Sequence, residues 1–339
     1  MTNTQRFGRR AALALLLASS AAAIGLAAPA NAQNKIVIRF SSAAPPPDFL
    51  SKSMERFKAD VEKAAPGQFD VQLYPGGKLV RQGAEVPALQ RNNIEMSTMQ
   101  AFEVAQQVPE LGFFARAYLF RDWAHASKVF AGPIGAEYKK RVAEKMQLVI
   151  LAPTYLGTRQ LNLRTVREVK GPADLAGVKL RMPAGGPDWL LVGQTLGINS
   201  TVLGMPEVYL ALQTGSIDGQ ENPLTIMRAA KMHEVTKQVV LTAHMVQPVY
   251  HTIRKSLWDT LNDAQKKVLT DAAIAAAKWN DEARLADEKQ VVDRIKEAGL
   301  RVDTIDLKPF RDNADKVYGA SEHTKAWDKA MMKQVVETK

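Results

Sequence analysis

At 339 residues, the chain has length for two lobes of roughly 150 residues each once a short leader is set aside. It contains no cysteine, which excludes disulfides, thiolate metal sites, thiol nucleophiles and a lipid-bearing cysteine. The formal charge is +10, but Lys and Arg are interleaved with acids and form no basic block with aromatics between. No nucleic-acid partner is therefore expected, only a mixed surface mildly attractive to anions.

In chain order, residues 1–32 read as an export signal, to be cleaved near Ala32. Arg6, Arg9 and Arg10 form a basic start, 11–28 an apolar run, and Ala30-Asn31-Ala32 a small-x-small cleavage site. Removing it leaves a charge of +7, and no later segment offers about 18 uninterrupted apolar residues, so a soluble exported chain in the periplasm is expected. Residues 35–40, 69–74 and 94–100 read as strands, and 49–64 and 84–90 as helices. This alternation predicts an α/β lobe with a largely parallel sheet. A strand at 147–152 precedes 154–159, TYLGTR, which reads as a crossing between lobes. Then follow a turn at 172–177, a strand at 178–182, helices at 189–196 and 207–214, and a strand ending at Asn222. Residues 248–254 read as a strand returning to the first lobe. From 263 to 298 there is no Gly or Pro, which predicts one helix on the order of 54 Å long that backs both lobes. Val268, Ala272, Ala275, Trp279 and Leu285 are its expected apolar face. A strand at 300–305 and a helix at 309–318 complete the chain.

The chemistry concentrates in VKLRMP (178–183) and EVYLALQTGSIDGQENPL (207–224). They place Arg181 and Asn222 at the ends of two strands, with neither a nucleophile nor a metal cluster between them. A planar cation with five donors that keeps its proton holds a carboxylate or related oxyanion. Val178, Leu180, Met182 and Pro183 imply a buried strand, where an arginine needs an acceptor. Arg159 reads either as a second anion contact or as a hinge or surface charge. Glu221 is free to pair with a site arginine or to face a partner. Residues 184–188, AGGPD, lead into a helix N-terminus, either as an anion cradle or as a tight connection. His233, His244 and His251 are spaced wrongly for a metal pair and read as structural; no metal or cofactor is expected. Ser41-Ser42 lacks the context of a nucleophile.

The glycine turn before Lys78-Leu79, AYLFRDWAHASKVF (117–130), GTRQ (157–160), DLAGVKLRMP (174–183), the 207–224 segment and HEVTKQVVLTAH (233–244) together resemble one family. It is the solute-binding subunits of TRAP (tripartite ATP-independent periplasmic) transporters. The resemblance implies a two-lobed periplasmic-binding-protein-like α/β fold, each lobe a sheet flanked by helices. Lobe I is expected at 33–155 and 246–285, lobe II at 156–245 and 286–339. It also implies delivery of the ligand to the small and large membrane subunits of the transporter, and no catalysis. Residue by residue, it implies that Arg181 pairs with the ligand anion, assisted by Asn222 and Arg159. Gln100 stands where sialic-acid-binding members carry glutamate, and Met205 where they carry phenylalanine. Ala43 and Ala184 replace two of their polar contacts, so sialic acid is not the expected ligand. Tyr155, Trp189 and Phe102 complete the expected ligand-binding set. With Met182 and Met205, the two aromatics 102 and 189 suggest a small carboxylate or sulfonate with a modest apolar part. The alternatives are a periplasmic sensor component, or an enzyme acting on a carboxylate with a base such as Glu221.

Overall fold

The β-rich run after residue 35 begins one continuous sheet. The computed structural model describes residues 35–184 and 186–339. The segment read as an export signal lies outside the described residues. The strands are β1 (Ile36–Ser41), β2 (Phe69–Tyr74), β3 (Met96–Gln100), β4 (Leu148–Leu163), β5 (Lys179–Met182), β6 (Asn199–Val202), β7 (Gly219–Pro223), β8 (Gln238–Arg254) and β9 (Arg301–Thr304).

Two long strands join the halves of this sheet. The first part of β4 pairs the end of β8, from Leu148 opposite Arg254 to Tyr155 opposite Pro248; β3, β1 and β2 extend that half. The last part of β4 pairs the start of β8 and also β7, with β5 and β6 beyond. The expected crossing at 154–159 is therefore not a break: β4 runs through it for 16 residues. Bulges at Ile150/Ala152 and Tyr155/Gly157 bend the strand without ending its ladder. The sheet is also mixed rather than largely parallel. β1, β2 and β3 are parallel, as are β5, β6 and β7, but the three pairings that include β4 or join β3 to β8 are antiparallel.

The 35-residue helix Asp263–Glu297 is capped by Asn262, whose side chain accepts from the Gln265 amide. At 1.5 Å per residue it spans about 53 Å. Its buried apolar face is only partly the expected set: Ala272 is buried and Val268 packs beside it, but Ala275 and Leu285 are exposed, and the face is Leu269, Ala272, Ala273, Ala276 and Ala277. These pack with Ile38, Phe40 and Phe57 of the first half, whereas Val291 and Ile295 pack with Met205, Val208 and Ile217 of the second. Between the two apolar stretches the helix buries Asn280 and Arg284. That polar middle lies against the bend of β4. The Asp281 carboxylate accepts from the Tyr155 amide (2.7 Å) and Thr154 Oγ1 (2.6 Å), and Glu288 accepts from the Thr158 amide (3.2 Å). The N–H groups that the bend takes out of the ladder thus find acceptors on the helix.

No described helix is long and apolar enough to cross a membrane.

Candidate functional site

A cleft lies where the two halves of the sheet face each other. Ser42, Ala43, Ala44 and Pro45 come from the loop after β1, and Thr98 and Gln100 from β3. Arg159 comes from β4, Arg181 from β5 with Pro183 just after it, and Asn222 from β7. Gln82, Glu85, Leu50, Leu156, Met205 and Ile226 complete the wall. Strand ends supply most of the polar groups, which is where a doubly wound α/β sheet places ligands.

Arg181 is 1% exposed and sits on β5 between Thr201 of β6 and Gln220 of β7. Its Nε donates to the Leu203 carbonyl (2.9 Å) and Nη2 to Gln82 Oε1 (2.8 Å), which also accepts from the Met205 amide (2.9 Å). No carboxylate pairs with it among the described residues, and Nη1 has no protein acceptor there. Burial pushes its pKa down to about 9, with Glu221 opposing and Arg159 adding to the shift. It remains a cation at neutral pH, and its uncompensated charge faces the cleft.

Arg159 is differently placed. Its Nε and Nη2 grip both oxygens of Glu221, the second at 2.6 Å, while Nη2 reaches the Glu221 carbonyl (2.7 Å) and Asn222 Oδ1 (3.1 Å). Nη1 donates to Gln247 Oε1 (2.5 Å). His244 Nε2 lies 3.0 Å from Glu221 Oε2, and its Nδ1 2.8 Å from Thr242 Oγ1. Burial holds His244 below its ordinary pKa, against the pull of Glu221. The neutral ring therefore donates from Nε2 and accepts from the threonine hydroxyl. Burial raises the Glu221 carboxyl, but the Arg159 charge and the bonds from His244 and Arg159 outweigh it and leave the pKa low. A carboxylate fully buried and held ionised by three donors is poorly suited to act as a general base.

Of the residues expected to form the site, Arg181, Arg159, Asn222, Gln100 and Met205 line the cleft. Tyr155, Trp189 and Phe102 do not. The Tyr155 hydroxyl bonds Glu288 and Thr158, and its ring stacks on Trp123 at 5.1 Å, facing the long helix. Trp189 lies behind the cleft, its ring 4.8 Å from the Arg159 guanidinium and 4.1 Å from Phe102. Met182 is likewise core. Asp188 is buried and meets His323 at 3.0 Å, so this start of helix Pro187–Leu196 is tied to the C-terminal segment. Sequence reasoning missed Gln82, Glu85, Ser42 and Thr98. The first two sit in and just after the loop following β2, where no periodicity marks them.

The comparisons agree with this architecture. Residues 40–325 match the model of the family described as bacterial extracellular solute-binding protein, family 7. A solute-binding protein of Verminephrobacter eiseniae is 33% identical over 284 residues, 84% of this chain and 83% of that one. A TRAP periplasmic solute-binding protein of Roseobacter denitrificans, solved with bound 3-deoxy-D-manno-oct-2-ulosonic acid, is 36% identical. It superposes with a TM-score of 0.86 over 90% of this chain and 100% of that one. Another, from Polaromonas sp. JS666 and bound to D-erythronate, is 26% identical, with a TM-score of 0.82 over 90% and 99% of the two chains. The chain belongs to the family 7 extracellular solute-binding proteins, the two-lobed solute-binding component of TRAP transporters, which are binding proteins and not enzymes.

Proposed function

We propose that the protein captures a small organic acid in the periplasm, anchors its carboxylate on Arg181, and delivers it to the membrane subunits of a TRAP transporter. The observation that carries this is a fully buried guanidinium that no acid pairs with among the described residues, facing a cleft. Arg159 serves the ligand indirectly: with its charge spent on Glu221, it holds Asn222 and Gln247 in place. Lobe I comprises 33–155 and 246–285, and lobe II 156–245 and 286–339, with the division at the bend of β4 and β8. Closure about that bend removes water and strengthens each charge-assisted bond as the local dielectric falls.

The related proteins solved with an ulosonic acid and with D-erythronate support a carboxylate as the anion. The mixed wall also modifies the expected apolar character of the ligand, since Trp189, Phe102 and Met182 are withdrawn from it. Micromolar binding requires about −8.2 kcal/mol, which one desolvated ion pair, several polar bonds and modest apolar burial can supply. The test is titration calorimetry of wild type and Arg181→Ala against a panel of sugar acids and simple carboxylates. Loss of affinity by at least about 100-fold is expected. Unchanged affinity for the acid that binds wild type would falsify the anchor.

A further inference from the structure

Resting on that reading, we infer that Glu85 makes the cleft selective for a hydroxylated acid: its free carboxylate oxygen receives a hydroxyl hydrogen from the ligand's carbon chain while Arg181 holds the carboxylate. Glu85 is 4% exposed, and what remains open of it lines the cleft. The Gly83 amide donates to Oε2 at 2.5 Å and the Ala84 and Glu85 amides also stabilise the carboxylate, while no further side chain of the described residues bonds Oε1. Arg181, on the other half of the sheet, reaches across to Gln82 on the loop before Glu85, so the two groups open on one cavity from different elements.

The neighbouring groups have the same unfinished character. Thr98 Oγ1 donates to Ser42 Oγ (3.0 Å), which leaves the Ser42 hydroxyl hydrogen to give and the Thr98 lone pairs to receive. Gln100 Oε1 is taken by Gln247 Nε2 (2.7 Å), which leaves the Gln100 amide hydrogens unspent. Away from Arg181 the wall therefore offers two acceptors and two donors. A hydroxyl both donates and accepts, and so matches a wall of this kind. An alkyl acid would satisfy Arg181 and strand the rest, and stranded buried polar groups are what reject an analogue lacking a hydroxyl.

A ligand ammonium could also face Glu85, but the setting favours a neutral donor. Glu103 packs beside Glu85, with Oε2 accepting from the Gln100 amide (2.8 Å) and Oε1 buried without a partner. Burial raises the Glu85 pKa to about 7, and burial together with Glu85 raises that of Glu103 further. At neutral pH the Glu85 carboxyl is therefore only partly ionised, which weakens its hold on a cation, while its unprotonated form still accepts from a hydroxyl.

The experiment pairs acids of equal carbon number: D-erythronate with butanoate, and 3-deoxy-D-manno-oct-2-ulosonic acid with octanoate. 4-Aminobutanoate is added as the cationic alternative. Calorimetry on the wild-type chain is expected to show the hydroxylated member of at least one pair bound at least about 100-fold more tightly. Glu85→Leu is expected to shrink that preference to within about 10-fold while leaving the alkyl acid bound as well or better. Equal binding within both pairs, preference for 4-aminobutanoate, or a preference untouched by Glu85→Leu overturns the inference alone. Failure of every acid to bind, or binding indifferent to Arg181→Ala, overturns the anion reading beneath it as well. Should Glu85→Leu not fold, Glu85→Gln takes its place: a hydroxyl preference reduced by at least about 5-fold supports the inference, and an unchanged one overturns it.

Discussion

Glu221→Gln tests whether the Arg159–Glu221–His244 cluster is a structural clamp behind the ligand. The substitution keeps the shape and removes the charge. Glu221 is fully buried and receives Arg159 through both its oxygens and His244 through one. A glutamine can turn only one oxygen to these donors, and its own amide hydrogens then face a guanidinium or an imidazole N–H. Arg159 keeps the Gln247, Asn222 and Glu221 carbonyl acceptors but becomes a buried cation without a counter-charge. Breaking one side of a buried pair costs about 3–5 kcal/mol. At about 2 °C per kcal/mol for a chain of this length, the unliganded protein should melt about 6–10 °C lower by calorimetry. Replacing both partners, Arg159→Met with Glu221→Met, should recover much of that loss, because the desolvation of both charges is no longer required. A fall below about 2 °C for Glu221→Gln, or a double variant less stable than the single, would refute the clamp.

Three further outcomes follow from the same geometry. Arg181→Met should leave the melting temperature unchanged or raised while binding is lost, since it removes a buried unpaired cation; a drop of several degrees would mean the residue is structural. Gly157→Ala should weaken both stability and ligand affinity, by about 1–3 kcal/mol in stability, because φ is +125° there and an added Cβ would lie 2.9 Å from Pro223 Cγ; wild-type melting and binding would contradict it. Stability should also respond to pH with two opposite signs. Glu221, with a folded pKa below its ordinary 4.5, contributes stability above that value and loses it on acidification through the folded pKa. Glu85, raised to about 7, costs stability increasingly as pH rises from 4.5 through 7, by about 3 kcal/mol at most. Glu85→Gln should therefore flatten the decline between pH 5 and 8 in a melting series; an unaltered slope would remove Glu85 as its source.

How much of this was legible in the sequence depends on how far each feature reaches along the chain. The strand bearing Arg181 is short and local: Leu180 and Met182 around an arginine announce a buried strand, and the structure adds only the partners. Glu221 was undecidable because its partner lies 62 positions away and is fixed by register. Arg159 stands opposite Pro223 and Leu161 opposite Glu221, so Arg159 and Glu221 are diagonal neighbours on one face. A slip of one residue would send Glu221 to the other face and leave two buried charges unpaired, so this pair also specifies the β4–β7 register. The long helix shows the converse limit. Its freedom from Gly and Pro made its length plain, yet the expected face held only at Val268 and Ala272, because the alanines at 273, 276 and 277 carry little hydrophobic signal while the larger Leu285 is exposed. Small residues there let the helix approach the sheet closely, and the polar residues at 280, 281, 284 and 288 are then needed where the sheet bends. Arg284 makes that need concrete: fully buried, it reaches Asp48 at the start of helix Phe49–Ala64 (2.6 Å) and Thr225 just beyond β7 (2.5 Å). A face that looked like an interrupted amphipathic stripe is two apolar contacts separated by a polar joint. The joint occurs where β4 and β8 pass from one half of the sheet to the other, so the helix meets the bend with hydrogen-bonding groups and each half with apolar ones.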